Sequence, residues 1–318
     1  MQNLEKVIRM SSMQPRIAFD LGWLKFITLA CLAWAAAMGT QAAEKPIKVM
    51  IIGGQNNHDW KKSTPFLKEI LDKAGHFEAV IDNAPEASAS REAKDAWHPK
   101  FKEFGCVVLD YNGQMWADAV KKDFVDYITN GGAAVVIHAA NNSFDGWKEY
   151  EKMVGLLWRG KGFGYSLYLD DNGQVVREKP NEGRGMGHGG QYDWMMTTRD
   201  TAHPITRGFP VKWIHAHDEL YHGQRGPAEN IHILLTAYSD PAPGRGGTGK
   251  NEPIVWWVPY GKGKVVVNLM GHVGELRCMQ CVGFQTLLIR ACEWGATGQC
   301  TTPVPDDFPT ATKVSLRR

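Results

Sequence analysis

From residue 47 to residue 155, short apolar runs alternate with amphipathic segments that end in glycine. No other feature constrains the fold as strongly. The runs at 47–52, FEAVIDN (77–83), CVVLDYN (106–112) and AAVVIHAANN (133–142, a strand with its exit loop) read as strands. TPFLKEILDKAG (64–75), AVKKDFVDYITNGG (119–132) and DGWKEYEKMVG (145–155) carry apolar residues at helical spacing. Each closes at glycine, which takes the left-handed turn that stops a helix. A parallel strand pair needs a crossover, and a helix is the usual one. The alternation therefore predicts an α/β fold with a doubly wound, mostly parallel, flavodoxin-like sheet and helices on both faces. The pattern returns with strands IHILLTAY (231–238), PIVWWV (253–258) and KVVVNLMGH (264–272), then a closing helix, VGFQTLLIRACEWGA (282–296).

Between about 160 and 250 the alternation lapses. SLYLDDNGQVVRE (166–178) predicts a hairpin about Asp-Asn-Gly, and GRGMGHGG (183–190) and PAPGRGGTG (241–249) predict long glycine-rich loops. This stretch is expected to be a glycine-rich insertion in a single domain spanning 44–318. RGKGFG (159–164) neither follows a strand nor opens a helix, so it is not a phosphate-binding loop.

Residues 1–43 read as a signal peptide. Lys25 precedes the apolar FITLACLAWAAAM, and Thr40-Gln41-Ala42 supplies a small-residue site for cleavage near Ala42/Ala43. The region before Lys25 is long for such a segment, so translation from Met10 or Met13 is a further expectation. An uncleaved anchor is the alternative, but the run is short for a spanning helix. Cys31 lies inside it, against a lipoprotein anchor. A periplasmic or secreted protein with no membrane contact after cleavage is expected. The chain carries 36 Lys/Arg and 34 Asp/Glu, and residues 1–43 hold four of the former and two of the latter. The remaining charge is balanced, so no nucleic acid is expected as partner.

Five cysteines follow the export segment. Cys278 and Cys281 form a single C-x-x-C, which is insufficient for a structural zinc knuckle and leaves a redox pair as one alternative. Cys292 and Cys300 could pair as a disulfide. Cys106 reads as core.

Ligands of doubly wound sheets bind beyond the carboxyl ends of the strands. His58 follows the first strand, His138 ends the fourth and His272 ends the last, so all three face one rim. WIHAHDELYHG (213–223) adds His215, His217, Asp218, Glu219, Tyr221 and His222. Strand alternation would set His215, His217 and Glu219 on one face and Asp218 on the other. A single strand-end histidine is more often structural than functional. Three at one rim, beside a carboxylate, are ligand types for zinc or a similar divalent metal, and also types for general acid–base work. No G-x-S-x-G elbow or HExxH occurs.

The motifs GGQNNHDW, YNGQMW, IHAANNSFDGW, GHGGQYDW, HPITRGFPVKWIHAHDELYHG, GPAENIHILLTAYSD, YGKGKVVVNLMGH and CVGFQTLLIRACEWGATG, in this order, resemble the ThuA-like, trehalose-utilisation family over residues 47–312. The resemblance implies a class I glutamine amidotransferase-like fold. Those enzymes carry a cysteine at the fourth-strand exit, where this chain has His138-Ala139, so amidotransferase activity is not expected. It further implies breakdown of trehalose-like disaccharides through 3-keto-glycosides, in company with a sugar oxidoreductase. The family's motif positions fall on His58, His138, Glu219 and His272, the expected metal ligands. His58, His138, Glu219 and Tyr221 are the expected catalytic groups. Asn57, Asp59, Trp60, Asn112, Trp116, Asn141, Trp147, His188 and Asp218 are expected to contact the sugar, with the tryptophans stacking on its faces. A non-catalytic periplasmic sugar-binding or accessory protein is the alternative, and paired-carboxylate hydrolysis a lesser one.

Overall fold

The structure, a computed structural model, describes residues 45–318; the expected signal peptide lies outside the described residues. Eleven strands form one sheet. They are β1 (Ile47–Gly53), β2 (Phe77–Asn83), β3 (Cys106–Leu109), β4 (Ala133–Ile137), β5 (Ser166–Leu169), β6 (Val175–Glu178), β7 (Tyr192–Thr198), β8 (Lys212–Asp218), β9 (His232–Tyr238), β10 (Asn251–Tyr260) and β11 (Gly263–Asn268). The main path runs β2-β1-β3-β4-β11-β10-β9-β7-β8, and the β5–β6 hairpin joins at β10.

The sheet is mixed rather than mostly parallel. Its first five strands pair in parallel. From β11 onward every pairing is antiparallel. The connections explain the difference: β10 and β11 are joined by Gly261-Lys262, a tight turn that can only return the chain beside itself. The stretch expected as an insertion supplies β5 to β9, an integral part of the sheet.

Helix α1 (Trp60–Lys73) starts four residues earlier than the pattern predicted, so Pro65 lies inside it. Further helices are α2 (Arg91–Ala96), which the pattern did not predict, α3 (Asp118–Thr129), α4 (Lys148–Val154), α5 (Arg277–Gln280) and α6 (Val282–Thr297). Helices α1 and α6 pack on each other and on the parallel strands, whose residues Val49, Ile51, Val107 and Val136 are fully buried. Among the described residues no helix is long and apolar enough to cross a membrane. All five described cysteines are buried free thiols, so the expected Cys292–Cys300 bridge is not formed.

Candidate functional site

Each ligand expected from the sequence stands just past a strand end. Beyond β1, Gly54 takes φ +102°, and an added Cβ would lie 2.2 Å from the Ala84 carbonyl oxygen; glycine lets the chain leave the sheet here. The loop it opens carries His58, whose Nδ1 faces Asn56 Oδ1 at 3.3 Å. His138 directly follows β4 at φ +45°, in a 3-10 turn, His138–Asn142. That sharp turn thrusts an imidazole over the sheet edge. Its Nδ1–H donates to the Leu269 carbonyl at 2.8 Å, so Nε2 carries the lone pair and accepts from the Tyr221 hydroxyl at 3.0 Å. Glu219 directly follows β8, and His272 follows β11 through Gly271 at φ +117°.

The donor atoms of His58, His138, Glu219 and His272 all lie within 4.8 Å of one another. Glu219 Oε2 is 3.2 Å from His272 Nδ1 and 3.8 Å from His138 Nε2. The His58 ring centroid is 4.8 Å from those of His138 and His272. Burial, then the adjacent His138 and His272 rings, push the His58 pKa down to about 4. Burial also lowers His138. At His272 burial opposes protonation, but the Glu219 carboxylate beside it outweighs that and raises the pKa. Burial disfavours ionised Glu219, yet the surrounding imidazoles, His272 foremost, hold its carboxyl below the usual range. Burial and the Glu219 and Asp218 carboxylates keep the Tyr221 phenol protonated.

Would a divalent cation fit? Three neutral-capable imidazoles and one carboxylate are a donor set for zinc or a similar ion. His272 Nδ1 is buried and lacks a hydrogen bond of good geometry, although Glu219 lies 3.2 Å away. His58 and His138 each have Nδ1 turned to a protein oxygen, which leaves Nε2 as the donor toward the cluster. The residues fit, provided the Tyr221 hydroxyl yields its place on His138 Nε2.

Behind the cluster lies a buried support. Asp218 is fully buried and pairs with His215 Nε2 at 2.8 Å. It also accepts from the backbone N–H of Glu219 (2.8 Å), Gly271 (2.8 Å) and His272 (3.1 Å). The expected separation of His215 from Asp218 fails because β8 bulges. Tyr192 pairs with Asp218 but Trp194 with His215, so β8 carries one extra residue and two-residue alternation breaks. Asp218 is therefore no sugar contact. Burial opposes a charge on His215, but Asp218 raises its pKa to about 9.

Other expected sugar contacts scatter. Trp116 and Trp147 are 5% and 6% exposed and pack with Phe124 and Phe144 in an aromatic core, unavailable to a ligand. Asn141 is buried and donates to Gln224 Oε1 at 2.7 Å. Asn57 is exposed and accepts from Asn112. Asp59 is exposed and pairs with Lys62. Trp60 opens α1 with the Lys61 ammonium 5.7 Å over its ring. His188 is exposed at the mouth, its Nδ1 3.7 Å from Glu219 Oε1 and its ring stacked near Tyr221. Trp158, which the sequence reading missed, packs 4.3 Å from Tyr221 and 5.8 Å from His188. Its only signal was its place just after the glycine-closed α4.

Fold and cluster together define an α/β protein with a three-histidine, one-glutamate site at the carboxyl ends of its strands. The chain belongs to the ThuA family, described as trehalose utilisation, which it matches over residues 48–295. It is similar to a ThuA-like protein of Parabacteroides merdae, with 41% identity and TM-score 0.81, over 86% of this chain and 98% of that one. A ThuA-like protein of Bacteroides uniformis, with 19% identity, TM-score 0.55 and coverage of 81% and 94%, shares the fold. A comparison with curated proteins found no match.

Proposed function

We propose that the chain is an exported enzyme acting on 3-keto-glycosides of trehalose-like disaccharides, with a divalent cation held by His58, His138, Glu219 and His272. The observation that carries this is the convergence of those four donors from four separate strand ends. The family's description as trehalose utilisation supports a sugar substrate. The apolar run before residue 43 supports export to the periplasm or beyond.

A 3-keto group acidifies the adjacent C2–H. A basic side chain takes that proton: Glu219 where it is not a ligand, His188 where it is. The C–H electron pair moves into the C2–C3 bond and onto the keto oxygen. A bound cation would supply Lewis-acid stabilisation of that oxyanion. Reprotonation of the enediolate gives isomerisation. Cleavage of C1–O instead expels the second sugar, which leaves with a proton, the Tyr221 hydroxyl being the proposed donor. Water added to the resulting double bond completes net hydrolysis. The keto group requires prior oxidation of the sugar, so a sugar oxidoreductase acts upstream.

The test is elemental analysis of the purified protein with and without chelator, beside turnover of a 3-keto-glucoside. One divalent ion per chain is expected, with turnover lost on chelation and in His58→Ala and His272→Ala. Full turnover in both variants would overturn the proposal. Saturable sugar binding with neither metal nor product would identify a binding protein instead.

A further inference from the structure

A shallow, open cleft of about 570 Å³ is walled by the start of β7, the Arg245 loop and the turn before α5. It comes near the cluster at His272. A Cβ on Gly274 would lie 3.6 Å from Gln191 Oε1, in the cleft wall, and 3.8 Å from His272 Cδ2. The Gln191 amide and the Cδ2 edge of the His272 imidazole, the edge turned away from the Nδ1 that meets Glu219, thus flank a residue with no side chain.

The lining has a definite chemistry. The Arg245 guanidinium lies 3.7 Å over the Tyr192 ring, a stacked planar pair. Around it stand Asp193, Glu275 and Arg277. Two carboxylates match two guanidiniums, so the cleft has no net attraction for an anion. Carboxylates accept from paired hydroxyls, and guanidiniums and the Gln191 amide donate. That inventory fits a neutral, hydroxyl-rich ligand. The Arg245 loop is held in place: its Gly246 and Gly247 carbonyls accept from Arg184 at 3.2 and 3.0 Å. A Cβ on Gly189 would collide with the Arg245 carbonyl oxygen, 1.4 Å away, so these two backbones touch.

We propose that this cleft is the subsite for the second, leaving sugar of a neutral disaccharide, with Arg245 and Glu275 setting specificity for it. The placement rests on the keto-glycoside reading only in assigning the first sugar to the donor cluster. The cleft's selectivity is measurable without turnover.

The experiment is titration calorimetry of the whole protein with trehalose and with methyl α-glucoside, which lacks the second ring. The wild type is expected to bind trehalose about tenfold more tightly or better. Arg245→Ala and the near-isosteric Glu275→Gln should each weaken trehalose about tenfold and leave methyl α-glucoside within about twofold. Gly274→Leu, which fills the space between Gln191 and the His272 ring edge, should act on trehalose alone. Thermal melts confirm that each variant is folded, and Glu275→Gln carries the test if Arg245→Ala is not. Equal wild-type affinity for the two ligands, no trehalose binding, or equal loss of both in the variants would overturn the subsite. Tighter binding of a phosphorylated disaccharide than of trehalose would overturn its neutral class. If selectivity is present but a 3-keto-glucoside is not turned over, the catalytic reading fails and the subsite stands.

Discussion

The two halves of the sheet contribute to the site in opposite ways. The parallel half, β2-β1-β3-β4-β11, delivers His58, His138 and His272 from strand exits, each imidazole arriving where a buried apolar strand stops. The antiparallel half delivers Glu219, together with Tyr221, His188 and one wall of the adjoining cleft, from the end of a bulged strand and two glycine-rich loops. β8 lies four places from β11 along the sheet, yet its Asp218 accepts from the N–H groups of Gly271 and His272 beyond β11. The antiparallel half must curl back over the parallel strands' exits for those bonds to form. A site split in this way depends on a fastener between the halves, and Asp218 is that fastener.

The neighbours Asp218 and Glu219 separate fastening from ligation. Asp218→Ala leaves the His215 imidazolium and three backbone donors, two of them buried, without their carboxylate. Breaking a buried charged pair of this kind costs about 3–5 kcal/mol, so a fall of that size in urea-denaturation stability is expected, with loss of divalent-ion binding as Glu219 and His272 lose register. Glu219→Gln, one residue on, should keep the fold and lose the ion. Outer-shell losses alone weaken metal affinity about 10–100-fold, and removing a ligand should do at least as much. If both variants retain the ion, Glu219 is no ligand and Asp218 joins nothing that matters to binding.

Trp116→Ala probes the parallel half by itself. The ring packs against Phe144 and Phe124 at 4.7 and 5.7 Å between centroids, so its removal should cost about 3–5 kcal/mol. The aromatic core shares no residue with the donor cluster. Sugar affinity per folded molecule, read by calorimetry below the melting transition, should be unchanged. A selective loss of sugar binding without loss of stability would return Trp116 to the role that its YNGQMW motif suggested.

The sequence marks the parallel half most fully, although β9, β10 and the β5–β6 hairpin of the other half also show in it. Apolar runs and glycine-closed helices reveal parallel strands because both faces of such strands are buried, so the run itself is the signal. Strand ends follow, and with them the positions of His58, His138 and His272. In the antiparallel half, β7 carries YDWMMTT, with interleaved polar residues that no apolar run marks. The bulge that joins His215 to Asp218 is a matter of pairing register, which is a property of two strands and invisible in either alone. Tryptophan is equally at home in a core and on a sugar, so type alone could not separate Trp116 from Trp158. The backbone carbonyl of Leu269 that orients His138 has no sequence signature at all.

Both halves also carry a buried carboxyl group held by hydroxyl donors. Asp110, past β3, is buried and accepts from the Ser63 and Thr64 hydroxyls at 2.6 and 2.7 Å. Glu252, in β10, is buried and accepts from the Thr248 hydroxyl at 2.6 Å and the Gly223 N–H at 3.2 Å. Burial outweighs these bonds and pushes each carboxyl up to about 7. A folded pKa above the unfolded one means that the native state holds the proton more tightly. The stability tied to that proton is complete below the unfolded value and is lost as pH rises through about 7. Below pH 6.5 the histidines lowered to about 4, His58, His203 and His222, pull the other way. Their unfolded-state titration near 6.5 runs on into the next pH unit, equally in every variant, so the carboxylates are read from differences between variants across pH 6.5 to 8. Across that range the wild type should lose about 1 kcal/mol from each carboxylate. His215, raised to about 9, bends the curve in the same direction, but equally in every variant. The differences isolate the carboxylates: Asp110→Asn and Glu252→Gln should each flatten the stability–pH curve by about 1 kcal/mol, and the double variant by about twice that, since sites in separate halves add. A flattening confined to one variant would show that only that half carries a buried, proton-holding carboxyl group.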